Sequence, residues 1–295
     1  MVRAWYNQAM KRVAFVTFAD ARSLNRSDAL VVPLLAKKGV FVEGVPWDDP
    51  HIDWKVYDVV ILRSCWNYHR SFAKFQKWLA KLDAQHVRVW NSISRTIWNT
   101  NKSYLFELEA SGIAIVPSLL CVHLSMNTIF RARVWDTLII KPVVGATARG
   151  IKKFSSAAVF LWVPYVLFLL RRGPVIIQEY METVTHGEYS LVFFDKKFSH
   201  AVKKTPKIGD FRSQEAFGGE DVAIAVSNDI IKQAQYVLDR IDEKLLYARV
   251  DGLVVDGKFY LMELELAEPY LFLETNSLAP SRFAAVIYSC LNRIT

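Results

Sequence analysis

Residues Tyr247 to Pro269 read YARVDGLVVDGKFYLMELELAEP, two runs of alternating apolar and charged side chains around an Asp256-Gly257 turn signal. Successive side chains on a strand point to opposite faces, so Val250 and Val254 share one face while Arg249 and Asp251 share the other. On the second run Met262, Leu264 and Leu266 go one way, and Glu263 and Glu265 go the other. If the apolar sides pack together, Arg249, Asp251, Glu263 and Glu265 are forced onto one side of one sheet. A two-residue loop at Asp256-Gly257 pairs Val255 with Lys258 and sends Asp251 to the wrong face. A three-residue loop, Val255-Asp256-Gly257, with Gly257 left-handed, restores the match and sets Asp251 opposite Leu261, diagonal to Glu263.

Three carboxylates on adjacent strands repel one another unless a cation sits among them. A hard divalent ion with oxygen ligands suits such a set, and magnesium takes a few carboxylates together with substrate phosphates. A solvated strand face is the competing reading. Leu253 and Leu261 flank the acids, which favours a cleft over open water.

The rest of the chain supplies a scaffold. Arg12–Phe18, Val40–Val45 and Tyr57–Leu62 are short, nearly continuous apolar runs with helical stretches between them, the pattern of a buried parallel sheet. Asp28 is positioned to cap a helix that stops at Gly39. Ser71–Ala84 places Phe72, Phe75, Trp78, Leu79 and Leu82 on one helical face. A helix is expected over Asn101–Ser111, closed by Gly112, and another over Asn228–Ile241. Strands are expected at Leu138–Val143 and Val175–Glu179, with a hairpin flanking Asp195-Lys196. Val159–Leu170, interrupted by Pro164, reads as a buried helix, a strand pair, or both. The fold class is therefore α/β followed by α+β. Three units are expected: a substrate-side α/β domain at 1–91, a central lobe at 92–180, and a C-terminal lobe with the carboxylate hairpin at 181–295.

Composition narrows the setting. Lys plus Arg number 37 against 29 Asp plus Glu, a formal +8 that suits a phosphate-bearing or acidic partner or merely a solubilising surface. Three scattered cysteines form no disulfide framework and read as buried thiols in a reducing compartment. No signal-peptide pattern or membrane-length apolar run stands out, so a soluble, cytoplasmic protein with no membrane partner is expected.

A series of motifs runs in fixed order through the chain: LRSCWNYH (62–69), WNTNK (98–102), IIKP (139–142), IIQEYM (176–181), GEYS (187–190), FSHAVKK (198–204), GDFRSQEAFGG (209–219), YARVDG (247–252) and MELELAEPYLF (262–272). In order and spacing they resemble the ATP-grasp superfamily, glutathione-synthetase-like branch, near its cycloserine-forming ligase group. The resemblance implies an ATP-grasp fold in which two lobes enclose the nucleotide, with ATP and Mg2+ as cofactors. It implies that Lys102 and Lys141 reach the ATP phosphates, Lys141 from a sheet edge facing a cleft, and that Gly145–Gly150 forms a loop over them. Gln178, Glu179, Tyr180 and Met181 would line the adenine, backbone groups of Glu179–Met181 reading its edge, and Glu188 would accept from the ribose hydroxyls. Asp251, Glu263 and Glu265 would be the metal ligands. Arg212 would stabilise the transferring phosphoryl group, and Arg249 is either a second such group or the acids' ion-pair partner. The Arg63–His69 loop would meet a substrate, and His200 reads as structural.

The implied activity is that of a carboxylate-amine ligase with small-molecule carboxylate and amine substrates, forming an amide or a cyclic product through an acyl phosphate. A homodimer fits this reading, and nucleic acid is not the expected partner. The alternatives are a small-molecule kinase on the same fold and a basic binding module with a decayed ATP site.

Overall fold

The computed structural model describes residues 10–146, 148, 150–207, 209–210 and 218–292. The chain begins with β1 (Lys11–Thr17), the short helices α1 (Arg26–Ala29) and α2 (Val32–Ala36), β2 (Val40–Pro46) and β3 (Val59–Leu62). Helix α3 (Phe72–Ala84) and β4 (Val89–Trp90) complete a four-stranded parallel sheet ordered β2-β1-β3-β4. Val13 to Val16 and Val59 to Leu62 are fully buried, as strands covered on both faces require. Phe75, Trp78, Leu79 and Leu82 of α3 seal one face, the stripe expected from their spacing.

One expectation about this region is corrected. Asn25, not Asp28, caps α1, its side chain accepting from the Asp28 amide at 2.9 Å. Asp28 lies inside the helix because its carboxylate is needed elsewhere. It is fully buried and takes the Nε of equally buried Arg63 at 3.0 Å. The helical stretch is correspondingly broken in two before the chain turns at left-handed Gly39.

Helices α4 (Ile93–Asn99) and α5 (Tyr104–Ala110) follow, the latter shorter than the expected Asn101–Ser111. Then come β5 (Ser118–Cys121), α6 (Met126–Ala132), β6 (Thr137–Pro142), β7 (Lys152–Ser155), α7 (Val159–Leu170) and β8 (Val175–Glu179). The four strands form an antiparallel sheet ordered β5-β8-β6-β7. Val159–Leu170 is helical despite Pro164, and only one side of it is covered, by Trp162, Val166 and Leu169.

The largest sheet is antiparallel, ordered β11-β10-β9-β12-β13. It comprises β9 (Glu188–Phe194), β10 (Lys197–Thr205), β11 (Glu220–Ile224), β12 (Tyr247–Val255) and β13 (Lys258–Glu265). Helix α8 (Asn228–Asp239) and α5 cover one face through Leu191, Phe193, Val250 and Leu264. Helix α9 (Ala279–Asn292) packs between the other face and the parallel sheet, around Phe15, Val192, Tyr247 and Phe283.

That second face changes character along its length. Phe194, Val192, Ser190 and Glu188 share it by the period of two, as do Tyr247, Arg249 and Asp251 on the neighbouring strand. The apolar members lie under α9, while the charged members emerge beyond it. A core thus becomes a cleft on one continuous surface.

The carboxylate hairpin keeps its expected faces by a different device. Val255 pairs with Lys258 across a two-residue Asp256-Gly257 turn with φ of 50° and 75°. The register then slips between Asp251 and Gly252, so that Gly252 faces Leu261 and Asp251 faces Glu263 directly. Met262 is the extra residue of a bulge, and the bulge, not a three-residue turn, sets the acids on one side. Gly252 is required here, because a Cβ would stand 2.5 Å from the Phe259 ring. Gly252→Ala should therefore lower unfolding free energy by about 2 kcal/mol through overpacking. Urea titration would measure this, and a change near zero would mean that the bulge relaxes freely.

Candidate ATP and substrate cleft

A cleft of about 790 Å³ opens between the central sheet, the largest sheet and the loop after β3. One end is apolar, walled by Val116, Ile139, Val184, Leu253 and Met262 and bordered by Gln178–Met181. The alternation pattern placed Met262 in the core with Leu264. The bulge turns it into the cleft instead, against Leu253. At the Gln178–Met181 border, the Glu179 and Tyr180 amides are committed to the carbonyls of Pro117 and Thr137, at 2.8 and 2.9 Å. Those two amides are therefore not free to read a ligand edge.

The middle of the cleft is ionic. Lys141 lies on β6, an interior strand rather than the expected edge, and reaches the cleft from its face. Its Nζ donates to Gln178 Oε1 at 3.1 Å, and Gln178 in turn donates to Ser118. Burial pushes the Lys141 pKa down to about 8, Glu263 only partly opposing. Lys102, also buried, donates to the Gly145 carbonyl at 2.7 Å and pairs with Glu263 at 3.0 Å. Burial alone would raise the Glu263 pKa, but Lys102 and Lys141 outweigh it and hold the acid below its ordinary value.

Arg249 is the acids' partner. Its Nε and Nη2 grip Asp251 at 2.9 and 2.8 Å, Nη2 also reaches Glu265, and Nη1 donates to the Tyr270 carbonyl at 2.9 Å. Lys204 lies between Glu188 at 2.6 Å and Asp251 at 3.2 Å. Burial disfavours the Asp251 anion, yet Arg249 and Lys204 bring its pKa down to about 2. Lys204 was missed as a site residue. The signal was present, since Val202 and Lys204 alternate onto the face of Glu188 across the β9–β10 hairpin.

Asp251, Glu263 and Glu265 do converge on one face. Their oxygens are held by Arg249, Lys204 and Lys102, and among the described residues no three His, Cys, Asp or Glu side chains form a ready metal cage. Charge is nevertheless out of balance. Burial, reinforced by Asp251 and Glu263, pushes the Glu265 pKa up to about 7, despite Arg249. Burial and then Glu265 push that of Glu268 up to about 8. A donor set of hard oxygens with surplus negative charge fits a divalent cation.

The far end is made by the loop after β3. Arg63 donates to the Pro269 carbonyl at 2.8 Å, and Trp66 donates to that of Glu268 at 3.0 Å, so this loop pins the segment following the acids. Trp66, Tyr68, Arg26 and Tyr270 line the cleft there. Glu268 was also missed, because it follows the last strand, where no periodicity marks it. Among the described residues its carboxylate forms no ion pair. His200 is buried away from the cleft lining, with Nε2 at 2.8 Å from the Leu271 carbonyl. Arg212 lies outside the described residues, as do Thr147 and Arg149 of the Gly145–Gly150 loop.

The family model of the prokaryotic glutathione synthetase ATP-grasp domain matches residues 113–279, and that of the D-cycloserine synthetase DcsG N-terminal domain matches residues 13–91. The chain belongs to the prokaryotic glutathione synthetase ATP-grasp family. This ATP-grasp protein is 28% identical to the cycloserine biosynthesis protein DcsG of Streptomyces lavendulae over 273 residues, covering 84% of this chain and 88% of that one. It is 24% identical to a glutathione synthetase of Rhodopseudomonas palustris over 220 residues, 74% of this chain and 67% of that one. The crystal structure of D-cycloserine synthetase DcsG superposes with a TM-score of 0.84 at 26% identity, covering 95% of this chain and all (100%) of that one. D-alanine–D-alanine ligase from Bacillus anthracis shares the fold, with a TM-score of 0.69 at 15% identity over 95% of this chain and 97% of that one.

The surplus charge has a pH consequence. Glu268 has its pKa raised from 4.5 to about 8, so between those values the folded ATP-grasp protein keeps a proton that the unfolded chain has released. Stability without nucleotide or metal should therefore fall as pH rises through this window. Asp251, with a depressed pKa, has the opposite sign and loses its contribution only on acidification below 3.8 toward about 2. Thermal melts across the window should show the decline and should flatten in Glu268→Gln. An equal slope in that variant would place the responsible group elsewhere.

Proposed function

We propose that the chain is an ATP- and magnesium-dependent ligase that activates a small-molecule carboxylate as an acyl phosphate for attack by an amine, closing an amide bond within or between substrates. The reading rests on one observation: two buried lysines, Lys102 and Lys141, face the Glu263 and Glu265 carboxylates across a single cleft with an apolar end. An ammonium on a long stem, desolvated and aimed into a cleft, is a phosphate anchor. The apolar end, with Leu253 and Met262, offers a slot for the adenine ring beside Gln178–Met181. Glu188, steadied by Lys204, is available to accept from ribose hydroxyls.

Glu263 and Glu265, backed by Asp251, would hold magnesium, which when bound offsets phosphate charge. Arg249 keeps Asp251 ionised and holds both Asp251 and Glu265 in place. Arg212 is the candidate guanidinium for the transferring phosphoryl group, where a planar fork matches spread-out charge. The substrates would lie at the Trp66–Glu268 end. The segment 1–91 would then serve as the substrate-side domain, with 92–180 and 181–295 as the lobes that close on the nucleotide. Closure keeps water from the acyl phosphate. The cytoplasm, where ATP is plentiful, is the compartment this chemistry fits.

Hydroxylamine added with the right acid, ATP and magnesium should trap a hydroxamate. ADP without hydroxamate would indicate a kinase acting on a hydroxyl. No ATP consumption across a broad panel of acids and amines would remove the ligase reading. Lys141→Ala should weaken ATP binding about tenfold or more, the scale of a lost charge-assisted contact. Calorimetry finding unchanged affinity in the folded variant would assign Lys141 a structural role. Arg212→Lys keeps the charge but not the fork, so turnover should fall far more than ATP affinity. Equal losses would mean that Arg212 holds ground-state nucleotide.

A further inference from the structure

The back of the central lobe, away from the cleft, carries an apolar surface ringed by cations. Helices α6 and α7 pack on the side of their sheet that Leu138 and Ile140 face, whereas Ile139 and Lys141 face the cleft. On α7, Trp162, Val166 and Leu169 point inward. Phe160, Leu161, Leu167 and Phe168, at spacings of one, seven and eight residues, form the outward stripe. Phe160 is 77% exposed, and none of the twelve residues of α7 is charged. Helix α6 and its end add Met126, Phe130 and Val134, the last 81% exposed, at intervals of four.

The charges around this surface are mostly positive. Between Val122 and Arg172 the sequence holds eight Lys or Arg and one acid, Asp136; Lys141 and Lys153 of these face the cleft, and Arg149 lies outside the described residues. Arg131, Arg133, Lys152, Arg171 and Arg172 are exposed, Lys152 lies over the Tyr165 ring of α7, and Arg172 stacks on Phe168 with its guanidinium 5.0 Å from the ring centre. Arg171 follows Leu167 by four residues and so ends the apolar stripe itself.

We propose that this face docks the protein onto an anionic lipid surface, α7 lying in the interface with Phe160, Leu161, Leu167 and Phe168 among the acyl chains. Charge complementarity selects this occupant. Apolar side chains that enter the headgroup boundary, with Arg and Lys around them to meet lipid phosphates, are what interfacial binding needs. A second copy of the chain would bring two cationic rims together. The helix has twelve residues, and no described helix is long and apolar enough to cross a membrane, so the contact is peripheral. The inference does not depend on the ligase reading, because the surface is on the far side of the sheet from the cleft.

Flotation of the full chain with vesicles of equimolar phosphatidylglycerol and phosphatidylcholine tests it. The protein should float with these at low salt, be released as salt rises, and stay behind with pure phosphatidylcholine. Phe160→Ser with Phe168→Ser should lower partitioning about tenfold or more, as two lost insertions imply. Arg171→Glu with Arg172→Glu should lower it comparably, and all four positions are exposed, so melting temperatures should match the parent. Failure to float at low salt, or unchanged flotation in both variants, overturns the proposal. So does sedimentation showing self-association that the Phe160 and Phe168 substitutions abolish, which would assign the face to a second copy.

Discussion

Among the described residues that line the cleft, the carboxylates Glu188, Asp251, Glu263, Glu265 and Glu268 lie together with the cations Lys102, Lys141, Lys204 and Arg249. Removing water from that many charges is costly unless each finds a partner, and losing one member of a buried pair costs about 3–5 kcal/mol. Much of the surrounding architecture answers this constraint. Arg249 divides its donors among Asp251, Glu265 and the Tyr270 carbonyl, and Lys204 bridges two strands. Among the described residues the matching is incomplete: burial and neighbouring carboxylates raise the pKa values of Glu265 and Glu268. Under the proposed function, a divalent cation would offset the charge of these acids and of a bound polyphosphate together.

Glu263 and Glu265 ride on β13, an edge strand, and an edge must be held if its side chains are to be positioned. Side chains from α4, α5 and the turn after β4 do this. Asn99 donates to the Leu264 carbonyl and accepts from the Leu266 amide, both at 2.7 Å, while the Tyr104 hydroxyl both donates to and accepts from Leu264. Asn91 bridges Tyr247 and Leu266. The Tyr247 hydroxyl spans the Leu62 and Ala267 carbonyls, tying the third parallel strand to the end of the acid run. The WNTNK segment is thus as much a clasp for β13 as the source of Lys102.

Much of this was legible in the sequence, for identifiable reasons. The parallel sheet, the apolar face of α3 and the shared facing of Glu263 with Glu265 follow from periodicity, which local chemistry sets directly. The misreadings are those in which a distant partner decides. Asp28 has the chemistry of a cap but lies opposite Arg63 in the fold, and Asn25 caps instead. The turn at Asp256-Gly257 obeys its dipeptide preference, and the register correction is moved inward to Gly252, where Phe259 excludes a side chain. Met262 changed faces as a consequence. Glu268 carries no periodic signal, because only the loop after β3 gives it a place.

The bulge also lies where the central lobe is attached. Val116 donates to the Leu261 carbonyl at 3.0 Å, and the Leu261 amide donates to Ala114 at 2.9 Å, pairing the chain that enters the lobe with β13 one residue before Met262. The lobe's own cleft residues, Ile139, Lys141 and Gln178, are on a sheet separate from the acids. Rotation about the Ala114–Val116 tether would therefore change the gap between Lys141 and Glu263 while leaving Arg249, Asp251 and Glu265 undisturbed on the larger sheet. Lys102 opposes such opening, since it pairs with Glu263 on one side and the Gly145 carbonyl on the other. A ligand that replaced either contact with a phosphate oxygen would change what holds the two walls together. If Lys102 meets the nucleotide as proposed, binding and the separation of the two walls would be linked through one lysine.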